Sequence, residues 1–276
     1  MTFKTLMVHM MLGHGNSDLL RITSSLATRL GARVIGIAAC APTAMVYSDG
    51  YTPGMFVEQD REEIDREIKV AKDEFFAVFQ KATGGAEWRS ATIYETVANY
   101  VSRESLSCDL VITSGISLDP NDTARPAKPG DIVMQAGRPV LVVPRSTNTL
   151  NIDRMAVAWK NTREARRAIS DGLPLLGLAK HVIVFAMARE DEQKPVTSQL
   201  TEVCEWLKTH NIAAEPKFVA SAKGDDSYQL NAAIEALGAS VVVAGAYGHS
   251  RLREWALGGV TRDLMLQANY CTMLSH

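Results

Sequence analysis

Long apolar runs are missing from this sequence. None reaches the roughly 20 residues needed to cross a bilayer, and Met1 to Met11 carries a strand-like run where a leader would have a charged stretch and a long apolar segment. The expectation is a cytoplasmic chain with no membrane partner. Charge of one sign is also missing. With 29 Lys and Arg against 31 Asp and Glu the net charge is −2, so no overall field draws the chain to nucleic acid or to an anionic surface. Cysteine is sparse. Cys40, Cys108, Cys204 and Cys271 are widely spaced, with no Cys-x-x-Cys pair. They read as reduced, buried thiols that pack like small apolar residues. The six histidines show no His-x3-His spacing, and no metal is expected, although His249, Cys271 and His276 could meet in space. Walker loops, Gly-x-Ser-x-Gly elbows and a Ser-His-Asp order are absent, and no catalytic residue is assigned.

What the chain does have is alternation. Its 276 residues, 46% hydrophobic and 22% charged, suffice for two modest domains with real cores. Short apolar runs alternate with amphipathic helical patterns. Thr5–His9 reads as a strand. Asn16-Ser17-Asp18 can cap a helix bearing Leu19, Leu26 and Leu30, stopped by Gly31. A strand over residues 32–39 follows, then a Pro-, Gly- and Tyr-containing loop from Pro42 to Gly54. Next comes a long helix with Ile64, Ile68, Ala71, Phe75 and Val78 on one face. Its other face, with Asp60, Arg61, Glu62, Asp65, Arg66, Lys69 and Lys72, reads as solvated. A strand near 90–93, a helix from about Thr96, a strand at 110–113 and a strand at 140–143 complete the first half. Residues 144–151 read as a polar linker.

The pattern then repeats. Strands are expected at 155–159, 182–187, 213–218, 241–244 and 271–274. Asn161 and Glu164 resemble a capping box opening the helix that runs to Leu173. The strand at Leu110 matches Val241, and Val140 matches Thr272, both offset by about 131 positions. The first strands are offset by about 150, because the first half carries the Pro42–Gly54 loop. The expected fold class is α/β, with two tandem five-stranded parallel-sheet domains at 1–146 and 152–276. Parallel sheets covered on both faces use such continuous apolar strands. They bind ligands at the carboxyl ends of strands, where strand order reverses.

One motif sits at such a place. After the fourth strand of the second half comes Gly245-Ala-Tyr-Gly248-His-Ser-Arg-Leu-Arg-Glu-Trp-Ala-Leu-Gly258-Gly259-Val260-Thr261-Arg262. Glycines at a strand exit permit positive φ and close approach of backbone to ligand. Amides around Gly258–Thr261 would then face outward at a helix start, which suits phosphate. Arg251, Arg253 and Arg262 could add charge. The spacing alone equally allows a plain turn with a close helix–sheet contact.

This Gly-x2-Gly-x9-Gly loop resembles the nucleotide loop of universal stress proteins. The run Gly245-Ala-Tyr-Gly-His-Ser-Arg-Leu-Arg-Glu-Trp255 and the turn Val157-Ala-Trp-Lys-Asn-Thr-Arg-Glu-Ala165 are similar to tandem two-domain bacterial members. The resemblance covers nearly the whole chain, by motif in the second half and by topology in the first. It implies nucleotide α-hydrolase-like, Rossmann-like domains. It also implies a stress-response role and binding of ATP or AMP, with Mg as a companion. Members often form dimers, and a tandem chain would form a similar pseudo-dimer internally, if not a homodimer. Carried over by position, Gly245, Tyr247, Gly248, Gly258 and Gly259 surround ribose and phosphates, and Val260 and Thr261 follow on the next turn. Trp159, Lys160 and Ala186 lie near adenine.

Two positions depart from the family pattern. Gly259 stands where a hydroxyl residue is usual. Lys160 stands where an aspartate accepts from adenine, and a lysine has no acceptor. The first half departs further. It has Met11 at the aspartate position and no second glycine three beyond Gly115, so no standard site is expected there. Gly13-His-Gly15-Asn-Ser-Asp18 only partly mimics a dinucleotide fingerprint, and the Asn/Ser cap explains it. Other readings stay open: a slow ATPase or nucleotide-dependent transferase using His249 or Glu254, or an interaction module built on the Pro42–Gly54 loop and apolar edge strands.

Overall fold

The structure is a computed structural model. It describes residues 2–42, 54–81, 84–115, 128–221, 226–246 and 269–276. The chain divides into two compact units, Phe3–Arg138 and Pro139–His276, the latter with Met1–Thr2.

In the first unit every described strand is followed by a helix. β1 (Thr5–His9), α1 (Ser17–Leu30), β2 (Arg33–Cys40) and α2 (Gly54–Phe79) lead to β3 (Ala86–Thr92), α3 (Val97–Glu104), β4 (Leu110–Ser114) and α4 (Pro129–Gln135). The strands lie in the order β3-β2-β1-β4, all parallel. β1 and β4 are buried almost throughout, as strands covered on both faces must be. α1 buries Leu19, Leu26 and Leu30, as its spacing predicts. α2 buries Ile64, Ala71 and Phe75, but Val78 is exposed and Phe79 takes its place in the core. The 4-residue step from Phe75 returns to the same helix face more closely than the 3-residue step does here. Gly36 makes this packing possible. A Cβ there would come within 2.7 Å of the Phe75 and Trp88 rings, so only glycine lets β2 meet α2 so closely.

The second unit contains β5 (Val140–Val143), β6 (Arg154–Ala158), α5 (Arg163–Leu176), β7 (His181–Ala188) and α6 (Gln193–Thr209). It continues with β8 (Ala214–Ala220), α7 (Asp226–Leu237), β9 (Val241–Gly245) and β10 (Cys271–Ser275). The order is β5-β10-β9-β6-β7-β8. β6 to β10 are parallel. β5, the fifth strand of the first repeat, runs antiparallel beside β10, with Leu141 opposite Met273. The sheet is therefore parallel-dominated and mixed. β6 lies between β7 and β9, so strand order reverses there and a crevice opens at the carboxyl ends.

Three local readings change. Trp159 lies one residue beyond β6, which starts at Arg154. The helix after it is capped by Thr162, whose hydroxyl accepts from the Ala165 N–H at 3.3 Å, with no Asn161–Glu164 box. Thr162 has the extended backbone that a capping residue needs (φ −125°, ψ 163°). Asn16 stands at the N-cap of α1 but makes no side-chain cap bond; its amide turns back on the preceding loop. Among the described residues, no helix is long and apolar enough to cross a membrane.

Candidate functional site

At the carboxyl edge of the second unit, three strand ends and one helix start converge. Beyond β6 the Trp159 N–H donates to the Phe185 carbonyl at 2.7 Å, and the Thr162 N–H donates to the Lys160 carbonyl at 2.6 Å. This tight turn delivers the chain to the capped start of α5. Arg166 donates to the Asn161 side-chain carbonyl at 3.0 Å, which braces the turn from the helix side.

Glu164, in the first turn of α5, is only 5% exposed. The Arg163 guanidinium donates to it and holds its carboxyl below the usual carboxylate range, against the opposing effect of burial; a further hydrogen bond from its own backbone N–H also lowers it. A negative group in the first turn is further favoured by the helix dipole. The Arg163 side chain itself is 80% exposed, and Lys160 is exposed. The start of α5 thus presents cations to solvent above a buried carboxylate.

β9 reaches the same place. A Cβ on Gly245 would lie 2.5 Å from the Ala165 nitrogen and 2.6 Å from the Glu164 carbonyl carbon. Those are backbone atoms and cannot step aside. Gly245 is thus the glycine that lets β9 end against the first turn of α5, so the close helix–sheet contact allowed by the spacing is present. The next residue continues the edge: the Ala246 N–H donates to the Ser275 carbonyl at 2.8 Å, and His276 Nδ1 lies 3.2 Å from the Ala246 carbonyl. Two polar atoms on this edge are buried with no hydrogen-bond partner, Trp159 Nε1 and Ser275 Oγ. Ser275 is in register with Gly245 on the neighbouring strand.

Of the residues expected to bind nucleotide, Trp159, Lys160 and Gly245 meet at these adjoining ends. Ala186 is buried within β7, which continues two residues further to Ala188. Tyr247, Gly248, Gly258, Gly259, Val260 and Thr261 lie outside the described residues, as do His249 and Glu254.

The corresponding edge of the first unit is built differently. His9 ends β1 and is 2% exposed. Its Nδ1 lies 3.1 Å from the Thr113 hydroxyl on β4, and burial lowers its pKa to about 4. Nothing local in the sequence marks this pair; the two residues are 104 positions apart. Asn16 organises the Gly13-His-Gly15 turn. Its carbonyl oxygen accepts from the Met11 N–H at 2.9 Å, and its NH2 donates to the Met11 and His14 carbonyls, both at 3.0 Å. Between this turn and α2 lies an open groove of about 440 Å³, bordered by Met11, His14, Glu63, Arg66, Glu67 and Glu74. The Glu74 carboxylate accepts from the Asn16 backbone and amide at 3.3 Å. The turn is thus a self-contained structural device.

Among the described residues, no group of three or more His, Cys, Asp or Glu side chains is placed to hold a metal. The four cysteines are buried and form no disulfide. Burial pushes the thiols of Cys108 and Cys271 up to about 12 and that of Cys204 up to about 11.

No family model matches the chain, and no curated protein is similar to it in sequence. Solved structures are similar in fold. A universal stress protein from Archaeoglobus fulgidus DSM 4304 matches with a TM-score of 0.72 at 13% identity, over 98% of this chain and 95% of that one. A functionally unknown protein from Pseudomonas aeruginosa PAO1 matches with a TM-score of 0.61 at 12% identity, over 99% and 92%. At such identities the likeness is one of fold, and it extends along both units. It bears out the α/β class read from the sequence.

Proposed function

Starting from a fold shared along its whole length with a universal stress protein, we propose that this chain is a regulatory protein that binds an adenine nucleotide, ATP or AMP, at the carboxyl edge of the second unit. The observation that carries the reading is the position of Gly245. The Gly-x2-Gly-x9-Gly run begins at the residue that ends β9, beside β6, where strand order reverses. Open parallel sheets take ligands in that crevice, and glycine-rich exits followed by a helix start suit phosphate. The cations of Lys160 and Arg163 at the start of α5 add attraction for an anion. Lys160 meets phosphate in this reading and leaves the base to other groups.

Binding without turnover is the expected mode. Nucleotide occupancy would shift the population between bound and free forms, and the ligand can move that equilibrium only by its difference in affinity for them. The test is to denature purified protein, identify released small molecules by mass spectrometry, and titrate the emptied protein with ATP, AMP and GTP by calorimetry. About one adenine nucleotide per chain supports the proposal. No released nucleotide and no heat of binding overturns it, and leaves the interaction-module reading.

A further inference from the structure

We infer that the indole N–H of Trp159 is a ligand-facing donor that pairs with an acceptor atom of the bound nucleotide, so that Trp159 is a positioning residue of the site. The inference rests on the nucleotide-binding reading above. Its own support is separate: Nε1 of Trp159 is buried and has no hydrogen-bond partner.

An indole nitrogen is a donor only and cannot rearrange to become satisfied by a donor neighbour. A buried donor left unmade is costly, and native structures leave few of them. Phenylalanine would fill most of the same volume without that cost. The backbone offers no escape, since it is fixed on both sides. The Trp159 N–H is committed to Phe185, and the following turn is closed from Thr162 to Lys160. The residue stands directly beyond β6, flanked by β7 and β9, at the reversal of strand order. The side chain as a whole is only partly buried, so the ring has an exposed part beside its buried Nε1. A second orphan, the Ser275 hydroxyl, lies on the same carboxyl edge. Among the described residues of the first unit, no buried side-chain polar atom is left without a partner. Of the three such atoms among the described residues, two, Trp159 Nε1 and Ser275 Oγ, lie on the edge where the glycine run begins.

The bland alternative is that Trp159 only packs. Trp159→Phe separates the two, because it keeps an aromatic side chain in most of the same volume and removes the donor. Calorimetric titration of wild type and Trp159→Phe with ATP and AMP is expected to show about tenfold weaker binding by the variant, the size of one lost hydrogen bond. Thermal melts of the two nucleotide-free proteins should nearly coincide. A second measurement does not depend on the variant's affinity. In protein labelled with nitrogen-15 tryptophan, the Trp159 indole proton, identified by its loss in the variant, is expected to move downfield on adding ATP. If wild type binds and both the affinity and the resonance are unmoved by these tests, the inference is wrong and the nucleotide reading stands. If wild type binds neither ATP nor AMP, the nucleotide reading fails and the inference with it.

Discussion

His9 should make this protein lose stability as the solution becomes mildly acidic. It is sealed in the first unit, hydrogen-bonded through Nδ1 to Thr113, and burial alone lowers its pKa from 6.5 to about 4. Unfolding exposes the ring and restores the ordinary value, so the unfolded chain binds the extra proton between those two pKa values. Stability from this site is therefore complete above pH 6.5 and is lost as pH falls from 6.5 through 4. A gap of about 2.5 units corresponds to about 3 kcal/mol in full, most of it gone by pH 4.5. That is a large part of the total stability of a typical domain. The assay is urea unfolding at pH 7.5 and 4.5 for wild type and His9→Gln. Glutamine stays neutral and can still reach the Thr113 hydroxyl. Carboxylates titrating elsewhere affect both proteins alike, so the difference between the two slopes isolates His9. Wild type should lose about 2 to 3 kcal/mol more than the variant over this interval. Equal losses would show that the ring is not held neutral in the folded state.

Gly245→Ala should destabilise the second unit by about 1–3 kcal/mol, because its methyl must displace the backbone of α5; an unchanged melting temperature would refute that contact. Thr162→Ala should cost about 1 kcal/mol by removing the cap of α5, seen as a lower urea midpoint, whereas Asn161→Ala should cost less. A thiol reagent at pH 8 should leave Cys108, Cys204 and Cys271 unmodified in the folded protein and react only on adding denaturant, since raised pKa values keep them protonated. Rapid modification of the native protein would contradict their burial.

Most strands were legible because they are short apolar runs, which full burial demands; β3 and β8 are only part-buried and carry Glu87, Arg89, Glu215 and Lys217, and β3 begins at Ala86, four residues before the expected 90–93. The helical faces were legible to within one residue, as Val78 and Phe79 show: both are apolar, and only the position of the sheet decides which turns inward. The cap of α5 was misread because Asn161, Thr162 and Glu164 are all competent capping residues, and the choice among them depends on where the chain leaves β6. The antiparallel partner of β5 was not legible at all. Val-Leu-Val-Val is apolar throughout and carries no mark of strand direction, and pairing is a long-range choice. The same limit applies to the site. Gly245 could be recognised as a glycine at a strand exit, but what it avoids is the backbone at 164 and 165, about 80 positions earlier. His9 and Thr113 escaped notice for the same reason.

The pairing of β5 with β10 has a consequence for how the chain can be divided. The repeat in the sequence has its seam at the polar stretch near residues 144–151, whereas the packing has its seam between Arg138 and Pro139. A second half cut at the repeat seam would leave β10 stripped of its antiparallel neighbour, with a row of unmet backbone groups along an apolar strand. Such an open margin invites pairing with other chains. A fragment beginning at Pro139 keeps β5 on β10, so the few residues of β5 decide whether β10 is paired.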